Sequence, residues 1–275
     1  MGPIEAKLEK VYSILKDKKV IVAFSGGVDS TVIATIAKKV AKKVLCCTFF
    51  GPIYLNDDLE EASKIAEEIN VNWRKVEIKN IPKDFFDKNP VNRCYICKKK
   101  VMSELNSIKN QLKYDIVVDG TNFDDLKEYR PGLAALKELG IISPLAEARF
   151  SKSEIRKIAE SFNLSVAHKP STTCLISRIP YGQKITKIKL EMIKNAEEYL
   201  KQLLNTDLVR VRHYVIDDNI HLARIELKKA EIRELLSIDN SKINAIIKKL
   251  KDLGYTYITL DLEGYRTGSM DVNLK

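Results

Sequence analysis

At 275 residues the chain is longer than one ordinary domain and suggests two. Its 45% hydrophobic and 31% charged residues suit a soluble protein with a sizeable core and exclude a disordered chain. A net charge of +10 admits an anionic partner, either nucleic acid or a nucleotide-like substrate, though scattered pairs such as Lys38-Lys39 and Lys248-Lys249 are ordinarily solvated helix faces.

Residues 1–7 begin an amphipathic helix and do not resemble a signal peptide. No apolar run approaches the roughly 18 residues of a membrane span, so a cytoplasmic location without membrane contact is the default expectation. The run Val20-Ile21-Val22-Ala23-Phe24 reads as a strand, Ser25-Gly26-Gly27-Val28-Asp29-Ser30-Thr31 as a turn, and the apolar stretch from Val32 as a helix. Further strands are expected at 44–49, 72–78 and 115–118, with a helix over 56–69. Strands alternating with helices imply an α/β fold, a parallel twisted sheet with helices on both faces. Ligands of such sheets bind beyond the carboxyl ends of the strands, where the glycine turn, residues 49–51 and Asp119-Gly120-Thr121-Asn122 all fall.

The pattern changes at Pro180-Tyr181-Gly182. A charged helix over 187–203 follows, then strands at 208–214 and 220–227, helices at 230–237 and 241–253, and a last strand at 255–260. The expected division is a nucleotide domain over 1–182 and a smaller α+β domain for substrate and oligomer contacts over 183–275. The sequence holds no internal repeat and no low-complexity linker.

Two adjacent glycines let backbone approach an anion, and N–H groups at a helix start favour negative charge there. Ser25, Ser30 and Thr31 add hydroxyl donors, and Asp29 can hold a divalent cation against phosphate oxygens. The turn lacks the Gly-Lys-Ser/Thr ending of the Walker loop, which argues against a kinase or GTPase. It resembles the pyrophosphate loop (PP-loop) of the ATP pyrophosphatase superfamily, with a HUP-like fold. That resemblance implies ATP and Mg²⁺, cleavage between the α and β phosphates, and adenylation of a carbonyl or carboxyl oxygen. It leaves the nucleophile unnamed.

The five cysteines in a cytosolic chain favour metal or catalytic use over a disulfide framework. Cys46 and Cys47 sit within the second strand and are expected to be small buried hydrophobes. Cys94 and Cys97 form a CxxC pair, and Cys174 is a third soft ligand. Three thiolates on a [4Fe-4S] cube leave one iron able to bind an external sulfide, the nucleophile adenylation chemistry lacks. A zinc site completed by His168 or water, and reactive thiols without metal, remain the alternatives.

Taken together, Asn92-Arg93-Cys94-Tyr95-Ile96-Cys97-Lys98, Cys174-Leu175-Ile176-Ser177-Arg178 with Tyr181-Gly182, Arg210-Val211-Arg212-His213 and Gly264-Tyr265-Arg266-Thr267-Gly268-Ser269-Met270 resemble the LarE family. These are ATP-dependent sulfur transferases of nickel-pincer cofactor biosynthesis. The resemblance implies a pyridinium dicarboxylate mononucleotide substrate whose carboxylates become thiocarboxylates. In family members with one cysteine, the position matching Cys174 surrenders its own sulfur. The extra Cys94 and Cys97 match the subgroup in which three cysteines hold a [4Fe-4S] cluster and sulfide from a donor is transferred.

On that resemblance Ser25, Gly26, Gly27, Asp29 and Ser30 cradle pyrophosphate with Mg²⁺ on Asp29, and Gly120 and Thr121 contact the nucleotide. Arg210 and Arg212 alternate with valines, so on a strand both face one side, which suits the substrate phosphate. A solvated strand face with paired charges is the alternative for them. Arg266 is a third phosphate ligand, contributed by a neighbouring chain if the protein is a homo-oligomer, and Arg178 orders the loop of Cys174. His213 and His221 are expected to be surface or packing residues. The chief rival is a tRNA thiolase, disfavoured because no RNA-binding module is recognisable; an amidotransferase-like synthetase would leave the three cysteines unexplained.

Overall fold

Apolar runs buried on both sides are what a parallel sheet covered by helices requires, and they organise the computed structural model, which describes residues 2–51, 56–128, 130–170, 173–237 and 239–271. The elements run α1 (Pro3–Leu15), β1 (Lys19–Ala23), α2 (Val28–Val40), β2 (Lys43–Phe50), α3 (Asn56–Glu68), β3 (Trp73–Glu77), α4 (Lys83–Lys88), α5 (Arg93–Leu112) and β4 (Ile116–Val118). They continue with α6 (Gly132–Glu138), α7 (Pro144–Glu147), α8 (Lys152–Ser161), α9 (Lys187–Leu204), β5 (Val209–Asp217), β6 (Ile220–Leu227), α10 (Lys229–Ser237), α11 (Asn240–Asp252) and β7 (Tyr257–Leu260). Two compact units result, Met1–Ile81 with Asn92–Ser171, and Pro82–Val91 with Thr172–Lys275.

The first unit holds the expected parallel sheet, in the order β3-β2-β1-β4. Alternation assigns its side chains to two layers. Val20, Val22, Cys46 and Val118 pack with Val11, Leu15, Val32, Ile36, Ile155 and Ile158 from α1, α2 and α8. Ile21, Leu45, Cys47 and Val117 pack with Val101, Met102, Leu105 and Leu136 from α5 and α6 on the other face. Burial raises both strand thiols, Cys47 to about 12, so neither ionises near neutral pH and both behave as apolar core residues. The chain leaves β1 towards β2 and β3, then returns to the opposite side of β1 with β4. That reversal brings the loops after β1 and β4 side by side at the carboxyl edge, where such sheets open a crevice.

In the second unit β5 and β6 are antiparallel and β7 lies parallel to β6. Val209, Val211, Ala223, Ile225 and Leu227 line one face against Ala196 and Leu200 of α9 and Ile246 and Leu250 of α11. Pro180–Gly182, expected to close the first domain, lie in this unit together with residues 82–91. The cause is backbone hydrogen bonding that no periodicity reveals. Asn89, buried in a left-handed conformation, donates Nδ2 to the carbonyl of Pro180 at 2.8 Å, and Gly182 N and Ile185 N donate to the carbonyls of Asn89 and Phe86. Among the described residues no helix is long and apolar enough to cross a membrane.

His213 is fully buried, as a packing residue should be, with Nδ1 3.3 Å from the Tyr255 hydroxyl and its ring 5.0 Å from that of His221. Burial, then the nearby His221 and Lys189, lower its pKa to about 3. The unfolded chain therefore takes a proton below about pH 6.5 that the folded chain refuses until about pH 3. Stability from this group is complete above pH 6.5 and declines as pH falls, by up to about 1.4 kcal/mol per pH unit. Urea denaturation at pH 7.5 and 5.5 is expected to show a smaller loss for His213→Phe than for the parent; equal losses would refute it.

Candidate active site

At the end of β1 the chain must turn sharply into α2, and Gly26 does so in the left-handed region at φ 68°. A Cβ there would stand 3.0 Å from Ala62 Cα, so α3 also demands glycine. Gly27 is the N-cap of α2 at φ −85° and carries no such constraint; only Ser25 Oγ, at 3.4 Å, would meet its Cβ. Ser25 and Ser30 hold the turn shut. Ser25 N donates to Ser30 Oγ at 3.2 Å, the two hydroxyls lie 3.1 Å apart, and Ser30 Oγ donates to the carbonyl of Gly27. Thr31 departs from the expectation, because it is fully buried with no partner for Oγ1 among the described residues. Its place one residue further along the helix turns it into the core.

The β4 loop is pressed onto the start of α2. A Cβ on Gly120 would lie 2.8 Å from Ser30 N and 3.1 Å from Asp29, which leaves room for glycine alone. Thr121 donates both N and Oγ1 to Asp119, shaping the loop from within. Asn122 donates Nδ2 to Asp29 Oδ1 at 3.3 Å, and its own Oδ1 accepts from Asp124 N and Asp125 N. Burial, opposed by an Asn122 N–H bond and Arg130, raises the pKa of Asp125, and the charge of Asp29 adds to the rise. One or two hard carboxylates are what a Mg²⁺ ion shared with phosphates takes from a protein, and Asp29 is a donor of that kind.

Three lysines to which the sequence assigned no role enter the site. Lys152 opens α8 and places its ammonium on Asp29 Oδ2. Lys169 lies 2.7 Å from Glu61 and donates to the carbonyl of Gly26 at 3.3 Å. Lys98, next to Cys97, reaches buried Asp119 at 3.2 Å and thereby ties the cysteine helix to the end of β4. The capping box Ser151-Lys152-Ser153-Glu154 is a local signal for a helix start that the sequence reading missed. Nothing local says that this start meets the glycine turn.

Cys94 and Cys97 stand three residues apart near the start of α5, exposed and half-buried respectively. Cys174 belongs to the second unit, exposed ahead of a single 3₁₀ turn, Leu175–Arg178. Among the described residues, neither unit by itself gathers three His, Cys, Asp or Glu side chains as a metal site. His168 is 84% exposed and lies 3.8 Å from Glu160.

Arg178 is almost fully buried, with Nε and Nη2 on the two oxygens of Glu197 at 2.8 and 3.1 Å. Its Nη1 donates to the carbonyls of Thr173 and Cys174. Glu197 also accepts from Val211 N on β5. Arg210 and Arg212 do share a sheet face, but it is not a solvated one; both are 5% exposed. Arg212 donates Nε and Nη2 to Glu226 Oε2 at 3.0 and 2.6 Å. Arg210 lies 3.9 Å from Glu197, with its guanidinium over the Tyr265 ring. Arg224, on the same face, joins Glu226 and Asp261, while Arg266 is partly exposed beside Asp261 and Glu263. Glu197 serves Arg178 and Arg210, and Glu226 serves Arg212 and Arg224. With Asp261 and Glu263 beside Arg224 and Arg266, five guanidinium groups meet four carboxylates, which leaves one positive charge for an anion.

The sheet reversal, the glycine turn and the acidic groups beside it define a PP-loop α/β nucleotide-binding protein, and a family model described as NAD synthase matches residues 3–122. Over its whole length the chain is 34% identical to the pyridinium-3,5-bisthiocarboxylic acid mononucleotide synthase of Lactiplantibacillus plantarum, covering 97% of that protein. The chain therefore belongs to the family of that synthase, the LarE family. An uncharacterized protein of Synechocystis sp. is 37% identical over 98% of each chain. A tRNA-specific 2-thiouridylase of Caldicellulosiruptor saccharolyticus is 28% identical over 62% of this chain and 59% of its own.

Proposed function

We propose that the protein is an ATP-dependent sulfur transferase acting on pyridinium-3,5-dicarboxylate mononucleotide. The observation that carries this reading is full-length similarity to the synthase named for the bisthiocarboxylic product, joined to a loop built for pyrophosphate. In the first half-reaction a substrate carboxylate oxygen attacks the α-phosphorus of ATP. The bond to the β-phosphate oxygen breaks, and its electron pair leaves with pyrophosphate. The turn from Ser25 to Ser30 receives that anion with backbone N–H groups at the start of α2. Asp29, with Asn122 and Asp125 beside it, would hold Mg²⁺, which supplies charge neutralisation on the departing phosphates. In the second half-reaction a sulfide attacks the acyl carbon and AMP departs.

Cys94, Cys97 and Cys174 are the thiolates that would hold a [4Fe-4S] cluster, and their soft donor set fits one. Such a cluster supplies an iron with no protein ligand on which an inorganic sulfide can be carried. Arg210 and Arg212 with Arg266 suit the mononucleotide phosphate, and Arg178 fixes the Cys174 backbone. A tRNA thiolase is the second reading, supported by the partial similarity to the 2-thiouridylase and the +10 charge. Pyrophosphate release from ATP under anaerobic conditions separates them. Stimulation of tenfold or more by the pyridinium substrate and none by tRNA is expected; the reverse would replace this reading with the second.

A further inference from the structure

The cation on Asp29 belongs to the protein itself, since Lys152 Nζ sits on Asp29 Oδ2, the carboxylate oxygen left by Asn122. Its backbone is fixed independently of that contact. Lys152 N donates to Asp124 Oδ2 at 2.8 Å, and Ser151 and Glu154 close a capping box around the residue. Glu154 is held in turn by Lys7 at 2.7 Å. The side chain is a flexible four-carbon stem, 29% exposed, on a rigid base. A cation in the first turn of a helix also opposes the helix dipole unless an anion lies beside it. Here two helix starts, those of α2 and α8, meet around one carboxylate.

We infer that Lys152 is a resident counter-ion of Asp29 that transfers to the triphosphate when a divalent cation takes its place. This rests on the ATP-using reading above. A divalent cation and an ammonium cannot both occupy Asp29 Oδ2, and the nearest new anion is the phosphate chain. Lys152 remains protonated throughout. Its role is electrostatic, stabilising charge that builds on the oxygens around the α-phosphorus as the carboxylate oxygen bonds and pyrophosphate leaves. No proton moves in the step. Lys169 and Lys98 do not share this role, because each has a carboxylate partner away from Asp29, Glu61 and Asp119 respectively.

Metal affinity and rate should move in opposite directions when Lys152 is lost. Manganese binding to the nucleotide-free full chain, followed by electron paramagnetic resonance, should tighten at least threefold in Lys152→Gln, because the competing ammonium is gone. The gain should vanish when Asp29→Asn is added. Pyrophosphate release should fall tenfold or more in Lys152→Gln and recover in part in Lys152→Arg, with unchanged circular dichroism in both. Equal manganese affinity in the parent and Lys152→Gln, or a gain that survives Asp29→Asn, would overturn it. Absence of pyrophosphate release from the parent with every acceptor would instead defeat the ATP-using reading. The manganese comparison still decides whether Lys152 guards Asp29.

Discussion

Anaerobically reconstituted protein is expected to hold about four iron and four acid-labile sulfide per chain, and replacing Cys174 with alanine is expected to remove them. Cys94→Ala and Cys97→Ala should do the same, because a cube cannot be held by two thiolates. Cys46→Ala and Cys47→Ala should retain it, since both thiols are buried in the strands and kept neutral. Repeated thiocarboxylate formation should be lost with the iron. A parent without iron would remove the cluster, and a chain lighter by one sulfur after turnover would then make Cys174 a sacrificial donor. Iron retained in Cys174→Ala would refute its role as ligand and leave a role in sulfur delivery to be decided by the mass measurement.

Gly120→Ala is expected to weaken ATP binding tenfold or more while the second unit stays folded. The added methyl would stand 2.8 Å from Ser30 N, a backbone atom that cannot yield without moving the start of α2 and with it Asp29. Gly132→Ala is the control, because its Cβ would meet only ordinary contacts near 3.5 Å. Calorimetric titration with ATP in the presence of Mg²⁺ reads both variants. Unchanged affinity in Gly120→Ala would show that the close packing of β4 on the glycine turn is dispensable for the nucleotide.

Much of the architecture was legible because it rests on local chemistry. The β1 run, the adjacent glycines and the helix after them form a contiguous strand–turn–helix, and each residue type has a local reason to be there. The alternation of strand and helix implied the parallel sheet, and β6 follows the expected 220–227 to the residue. The pairing of Arg210 with Arg212 on one strand face was likewise a matter of period two. Their burial was not, because it depends on Glu197 from α9 and Glu226 from β6, and neither is near in sequence.

The sequence by itself determined the parallel sheet, the glycine turn and the types of group available for chemistry, all consequences of short-range periodicity and backbone freedom. Only the tertiary structure decided which of those groups meet. Lys152 reaches Asp29 across 123 positions, Lys169 reaches Gly26 across 143, and residues 82–91 leave the first unit to satisfy backbone groups around Pro180. Such contacts are selected by the packing of whole helices on a sheet and by the pairing of buried polar atoms, and no local pattern encodes them.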